Sequence, residues 1–211
     1  MPSVALLFIL KFTVGYARPQ DEPRRRTGQG GETVTPDDYW RSTLGNSFLD
    51  ATLQICVVTQ DADATVRRYA ERLGIGPWWV QDAKAPAMTE TKIRGAETPF
   101  SMRLALAWVG DLMWEVIQPL DGPTVYRDFL ERNGDGMQHA AFSYGAHSFD
   151  SARAEFISRG FEPVQELLWN GVRVCYFDTL DATHTTFEIW HWPDDIPLGE
   201  PDYWVPAMEE L

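Results

Sequence analysis

Four side chains in this 211-residue sequence have the chemistry to hold a divalent cation together: Gln54 in LQICVVTQ, Glu115 in LMWEVIQPL, His139 in MQHAAFSYG and Glu188 in THTTFEIWH. Each sits in an apolar run that reads as a strand. One imidazole, two carboxylates and an amide oxygen suit Zn, Mn, Co, Ni or Fe(II), with harder ions favoured as oxygen donors outnumber nitrogen. Taken singly, each residue has a plainer explanation. A strand histidine is more often a hydrogen-bonded core residue than a ligand, and a strand glutamate more often meets solvent or an arginine. Taken together, the four occupy matching places in a repeated pattern, and a carboxylate inside an otherwise apolar strand needs a partner. Strand alternation puts Thr186, Glu188 and Trp190 on one face, with Phe187 and Ile189 on the other.

The repeat emerges from the elements that must carry these residues. LQICVVTQ is followed by DADATVRRYAERLG, which predicts a helix capped by Asp61 or Asp63, striped by Val66, Tyr69, Ala70 and Leu73, and ended by Gly74. Strands follow at TETKIRG, SMRLALAWVG and LMWEVIQPL, the last two joined by a tight Gly110-Asp111 hairpin. The second half repeats the order. MQHAAFSYG reads as a strand and FDSARAEFISRG as a helix with Ala152, Phe156 and Ile157 on one side; VRVCYFDTL and THTTFEIWH read as paired strands joined by a turn near Asp181. Gly74 lies 20 residues after Gln54, and Gly160 lies 21 after His139. Glu115 and Glu188 follow the same two residues by 61 and 49 positions, so the second unit is shorter in its loops or strands. A repeat at about 85 residues predicts two βαβββ modules and not a solenoid, whose periods run about 20 to 50. Between them DGPTVYRDFLERNGDG supplies a connector helix with Tyr126, Phe129 and Leu130 on one face.

The modules, about 50–120 and about 135–192, define a domain over 39–192, its fold beginning near Tyr39 or Trp40. Residues 1–38 read as a leader and flexible tail: the apolar run VALLFIL is interrupted at Lys11 and is too short to span a bilayer, and RPQDEPRRRTGQGGETVTPD is polar and rich in Gly and Pro. The leader resembles a weak secretion signal only in part, because positive charge before the apolar run is missing, and a cytoplasmic location is the expectation. Residues 193–211 read as an extended tail whose rings, with Trp192, Tyr203 and Trp204 at hand, pack over the domain or across a partner. A hydrophobic content of 44% supports one substantial core or two small ones that share an interface. Eighteen Lys plus Arg against 31 Asp plus Glu give a net charge of -13, which argues against a nucleic-acid or membrane partner and leaves a small-molecule substrate. Cys56 and Cys175 lie in apolar runs without metal-ligand spacing, as small strand residues outside any disulfide framework. The tryptophans, Trp78, Trp79, Trp108, Trp114, Trp169, Trp190 and Trp192 among them, fill a core or line an aromatic cleft.

The blocks LQICVVTQDADATVRRYAERLGIGPW, WEVIQPLDGPTVYRDFLERNGDGMQHAAF and FEIW resemble those of the vicinal oxygen chelate superfamily, the glyoxalase, bleomycin-resistance and dioxygenase proteins. The resemblance covers about residues 50–192 and is greatest to methylmalonyl-CoA epimerase-like and glyoxalase I-like members. It implies an α+β fold in which paired βαβββ modules form a curled mixed sheet around a cleft, with metal ligands on the first and last strands of each module. On that pattern Gln54, Glu115, His139 and Glu188 are the ligands of a divalent metal ion. Gln54 departs from the epimerases, which usually carry His there, while glyoxalases carry His or Gln. The resemblance also implies a carboxylate base on the second strand of the first module, with Glu90 in AMTETKIRG near that place; an exposed edge glutamate is the plainer explanation of Glu90.

The activity so implied is that of a metal-dependent isomerase, epimerase or lyase working through the enolate of a small carbonyl compound or thioester, in a homodimer. No cluster of Lys and Arg marks a coenzyme A site. Two alternatives share the fold. An Fe(II) ring-cleaving dioxygenase normally uses two histidines and one glutamate, and Gln54 counts against it. A metal-free, drug-sequestering protein of the bleomycin-resistance type would suit an acidic surface and an aromatic cleft. The remaining imidazoles, His147, His184 and His191, fall in loops or alternate away from the face of Glu188.

Overall fold

The apolar run that opens each module becomes a strand at the centre of one large sheet. The structure is a computed structural model that describes residues 46–207, so the leader, the linker, the expected start near Tyr39 or Trp40 and the last four residues lie outside it. From Phe48 onward the described residues form a compact unit. Its first module comprises β1 (Thr52–Val58), α1 (Ala62–Leu73), β2 (Trp78–Ala83), an inserted pair β3 (Met88–Ile93) and β4 (Ala96–Glu97), then β5 (Ser101–Val109) and β6 (Leu112–Asp121). After the connector α2 (Val125–Asn133), the second module comprises β7 (Gly136–Phe142), α3 (Phe149–Ser158), β8 (Pro163–Trp169), β9 (Val172–Phe177), the single turn α4 (Leu180–Thr183) and β10 (Thr186–His191). A last strand, β11 (Tyr203–Val205), ends the described chain.

The sheet order is β11-β2-β5-β6-β1-β7-β10-β9-β8-β3-β4. β1 and β7 pair antiparallel at the middle, and each is flanked by the last strand of its own module, β6 or β10, in parallel. The mixed α+β architecture with two repeated modules is therefore the one expected. Asp61 caps α1 by accepting from the Ala64 N–H, and Gly74 ends it in the left-handed conformation at φ 67°, which a residue without Cβ adopts at least cost. The outward faces of the sheet are covered by helices: Ala62, Val66 and Tyr69 of α1 pack on Trp78, Val80 and Val116, and Ala152 and Phe156 of α3 pack on Phe177 and Ile189. The inward face holds the largest cluster, with Trp79, Met88, Leu104, Ile117, Tyr126 and Tyr176 in it.

Several expectations change. Leu73, read as part of the α1 stripe, is 67% exposed, because the buried face lies nearer the start of the helix at Ala62, Thr65 and Val66. The turn near Asp181 is the helical turn α4. TETKIRG is a strand, β3, but it is not in the first module's own sheet; it pairs antiparallel with β8 of the second module. The second strand of the first module is β2, WWVQDA, which pairs with β5. Residues 84–87 alone join β2 to β3, a link that spans no more than about 18 Å. The two strands beside it, β2 and β8, are therefore drawn toward each other and the sheet curls, with the rings of Trp79 and Trp169 only 6.0 Å apart.

The tail closes on its own domain. β11 pairs antiparallel with β2, the Trp79 indole donates to the Gly199 carbonyl at 3.1 Å, and Trp192, Leu198 and Trp204 pack on the inner core. Gly171, at φ 88° in the β8–β9 turn, gives room to the Ile196 side chain, which would collide with any Cβ there.

Candidate metal centre

The strand register builds the centre in two adjacent rows on the inward face. In one row Cys56 of β1 stands opposite Glu115 of β6 and His139 of β7, and His139 stands opposite Thr186 of β10. In the next, Gln54 stands opposite Met113 and Ala141, and Ala141 opposite Glu188. Residues opposite one another on neighbouring strands share a face, so the four residues singled out in the sequence converge. The His139 Nε2 lies 3.0 Å from a Glu115 oxygen and 3.1 Å from a Glu188 oxygen. The Gln54 amide nitrogen donates to Glu115 at 2.7 Å and to Glu188 at 3.4 Å. All four are buried.

Burial and charge pull these groups in opposite directions. Burial lowers the pKa of His139, but attraction to Glu188 and its hydrogen bonds with Glu115 and Glu188 outweigh that and hold it at about 9. Burial raises the Glu188 carboxyl above its ordinary range, against the opposing pull of His139. Burial, then the charges of Glu115 and Glu188, push the Cys56 thiol well up, which keeps it protonated in the metal-free protein. The other imidazole nitrogen, Nδ1, is engaged by the Gln138 side-chain oxygen at 2.6 Å, and Gln138 in turn donates to the Thr186 hydroxyl at 3.2 Å. That grip fixes the ring with Nε2 toward the carboxylates, the arrangement by which proteins orient a metal-binding histidine from behind.

The donor set fits a divalent cation. Two carboxylates bring two negative charges into a site where burial makes them costly alone, and an imidazole nitrogen is aimed at them. The Gln54 amide presents its oxygen if it turns over. The Cys56 thiol, a Glu115 oxygen and a ring nitrogen of His139 lie within 4.8 Å of one another, which adds a sulfur to the candidate donors.

Sequence reasoning did not single out Cys56, Gln138, Tyr126 or Tyr176. Cys56 had a signal, since it follows Gln54 by two residues and so shares its face. Tyr176 lies opposite Glu188 in the register, and its hydroxyl favours the ionised carboxylate from beside it. It accepts a 2.7 Å hydrogen bond from Tyr126 of α2. The structure does not bring Glu90 to this group: it is exposed, at φ 51° in the irregular stretch of β3, and does not line the cavity. His147, His184 and His191 are exposed as well. Cys56 and Cys175 are free and buried.

Glu115, Glu188 and Gln54 open on a cavity of about 40 Å³ with aliphatic walls such as Leu104, Leu106 and Leu167. Three of the tryptophans line it, Trp169, Trp190 and Trp192; Trp78 and Trp79 fill cores instead.

The sequence profile of the glyoxalase/bleomycin resistance protein/dioxygenase superfamily matches residues 53–176, a stretch that includes Gln54, Glu115 and His139. The chain belongs to that superfamily. A hypothetical protein of Bacillus halodurans C-125 is similar in fold at 15% identity and a TM-score of 0.53, over 70% of this chain and 97% of that one. Methylmalonyl-CoA epimerase from Mycobacterium tuberculosis is similar at 20% identity, over 72% of this chain and 93% of the other, with a TM-score of 0.49. Streptomyces coelicolor methylmalonyl-CoA epimerase is similar at 20% identity, over 67% and 94%, with a TM-score of 0.47. No curated protein matches the chain in sequence. Among the described residues no helix is long and apolar enough to cross a membrane.

Proposed function

We propose that this superfamily member is a metal-dependent isomerase, epimerase or lyase that works through the enolate of a small carbonyl compound or thioester. The observation that carries the reading is the convergence of Glu115, Glu188 and His139, within about 3 Å contacts, on a cavity that is otherwise largely apolar. His139, Glu115, Glu188 and Gln54 would hold the metal ion, which supplies Lewis-acid stabilisation of the negative charge that develops on a substrate oxygen.

The chain's own groups do the rest. Among the described residues, the ionisable side chains that line the cavity are Glu115, Glu188 and Tyr176, so the proton removed beside the carbonyl goes to one of them. Glu188, beside the Tyr176 hydroxyl, is the best suited; to take the proton it would leave the metal to His139, Glu115 and Gln54, since a carboxylate bound to a divalent cation loses the basicity that burial gives it. Tyr176, held by Tyr126, steadies that carboxylate. Returning the proton to the neighbouring carbon isomerises the substrate, and returning it to the opposite face of the carbon it left epimerises it. The aliphatic walls exclude water and so strengthen every charge interaction inside.

The test is deuterium uptake from D₂O at carbons next to a carbonyl, followed by proton NMR on protein loaded in turn with Mn(II), Co(II), Ni(II) and Zn(II). Uptake that requires a metal is expected; no uptake with any metal across 2-hydroxy ketones and thioesters would contradict the reading. A metal-free binding protein of the bleomycin-resistance type is the second reading. It draws support from the way His139 and the Gln54 amide already satisfy both carboxylates. A ring-cleaving dioxygenase lacks support, since His139 is the one imidazole in the cluster among the described residues.

A further inference from the structure

Behind the metal centre, on the other face of the sheet, an open groove of about 330 Å³ runs between α1 and the strands β1, β6 and β7. That volume lies at the low end of what small-molecule sites offer. The strands that build the metal centre also build the groove, by alternation: Cys56 and Glu115 point inward, while Val57 and Trp114 form the groove's floor. Met137, opposite Val57 on β7, extends that floor and is 58% exposed. Tyr69 of α1 forms the side wall, its ring 5.4 Å from that of Trp114. Two rings and a thioether on an accessible surface suit an aromatic ring.

The groove also carries one cation and one anion, Arg68 and Asp135, that do not pair with each other. The Arg68 guanidinium donates to the Thr65 hydroxyl at 2.9 Å, the Thr65 and Thr59 hydroxyls are 3.1 Å apart, and Thr59 donates to Asp135 at 2.8 Å. Because Thr59 spends its proton on Asp135, Thr65 donates to Thr59, and every bond in the series points from the guanidinium toward the carboxylate. This relay, whose two threonines are buried, holds the charges no more than about 9 Å apart. Both keep unused capacity: Arg68 has further N–H donors, and Asp135, which also accepts from the Gln60 N–H at 3.0 Å, has a lone pair left on each oxygen. A simple anion would be drawn to Arg68 and repelled by Asp135, and a simple amine the reverse, so the complementary ligand carries both charges. An α-amino acid sets its carboxylate and ammonium about 3 Å apart, and with a hydrogen bond of about 3 Å at either end it bridges such an interval.

We propose that this groove is a second ligand site, separate from the metal centre, and that it takes an aromatic α-amino acid, with the carboxylate on Arg68, the ammonium on Asp135 and the ring against Trp114, Tyr69 and Met137. The inference goes beyond the metal-dependent reading and does not rest on it. Arg68 and Met137 are exposed, so the ligand enters without any rearrangement of the core. Each of the three contacts can be removed from the ligand or from the protein in turn.

The test titrates the full chain calorimetrically with four probes: phenylalanine, 3-phenylpropanoate, which lacks the ammonium, 2-phenylethylamine, which lacks the carboxylate, and alanine, which lacks the ring. Phenylalanine should bind about fivefold or more tighter than each of the others, the worth of one charge-assisted hydrogen bond or one ring contact. Arg68→Gln should erase its advantage over 2-phenylethylamine, and Asp135→Asn its advantage over 3-phenylpropanoate, at unchanged circular dichroism. No binding of phenylalanine up to about 10 mM, probes without a charge or a ring that bind as tightly, or variants that bind like wild type would overturn the proposal. Addition of ethylenediaminetetraacetate should leave phenylalanine binding unchanged; binding lost with the chelator would put the amino acid on a metal ion and overturn it as well. The metal-dependent reading can fail its own deuterium test without moving any of these results.

Discussion

The two halves of the centre are copies of one plan, and they differ at one donor position and at the residues around it. Glu115 and Glu188 match across the repeat. His139 stands where the first module has Gln54, Ala141 where the first has Cys56, and Thr186 where the first has Met113. The second half therefore forms a chain, Thr186 to Gln138 to His139, that locks an imidazole in one orientation. The first half has Leu53 and Met113 in the corresponding places, and its Gln54 is left to turn its amide as the occupants of the site require. On the proposed metal-binding reading, one module would supply a fixed nitrogen donor and the other an adaptable amide.

The account predicts unequal consequences for equal changes. The largest effect on proton transfer should come from Glu188→Gln, which removes the proposed base and should slow metal-dependent deuterium uptake about 10²- to 10⁴-fold. Glu115→Gln should cost less than Glu188→Gln in the same assay. Equal losses would erase the distinction between the halves.

The next effect is a dependence on pH. The pKa of His139 is raised from its ordinary 6.5 to about 9 in the metal-free fold, so its ion pairs contribute stability that is fully present below about pH 6.5 and is lost as pH rises through about 9. Denaturant titrations of metal-free protein should show that decline, and His139→Gln should not. Metal uptake must displace the same proton, so affinity should rise about tenfold per pH unit over that window.

Two smaller changes sharpen the contrast from either side. Gln138→Leu, which makes the second half resemble the first, should weaken metal binding about 10- to 100-fold, as measured by chelator competition. Gln54→His, which makes the first half resemble the second, should tighten it by about tenfold, since nitrogen replaces an amide donor and suits Zn, Co and Ni better. An unchanged affinity in both variants would show that the halves are equivalent.

Much of this plan was legible because it is periodic. Gln54 and His139 lie at similar distances before helix-ending glycines, and alternation places Glu188 on one face of a clear strand. The convergence of the four residues follows from those regularities. Other features left no local trace. The first half of β2 is buried on both faces, Trp79 in the inner core and Trp78 in the α1 cluster, so Trp78, Trp79 and Val80 show no alternation before the polar Gln81 and Asp82. The pairing of β3 with β8 is a long-range choice that no residue in TETKIRG announces, and its register shift between Thr89 and Lys92 leaves Glu90 on an exposed irregular stretch. Gln138 reads as one more strand residue until its neighbour's ring nitrogen is seen to bond to it.

The most direct test of the central claim is the metal content of the full chain, purified without an affinity tag and offered Zn(II), Mn(II), Co(II) and Ni(II) in turn, beside His139→Ala, Glu188→Ala and Glu115→Ala. One divalent ion per chain in the wild type, lost in His139→Ala and Glu188→Ala while the variants remain folded by circular dichroism, is the predicted result. A wild type that takes up no metal at any pH up to about 9, or variants that retain it fully, would contradict the claim and leave a metal-free binding protein as the account of this centre.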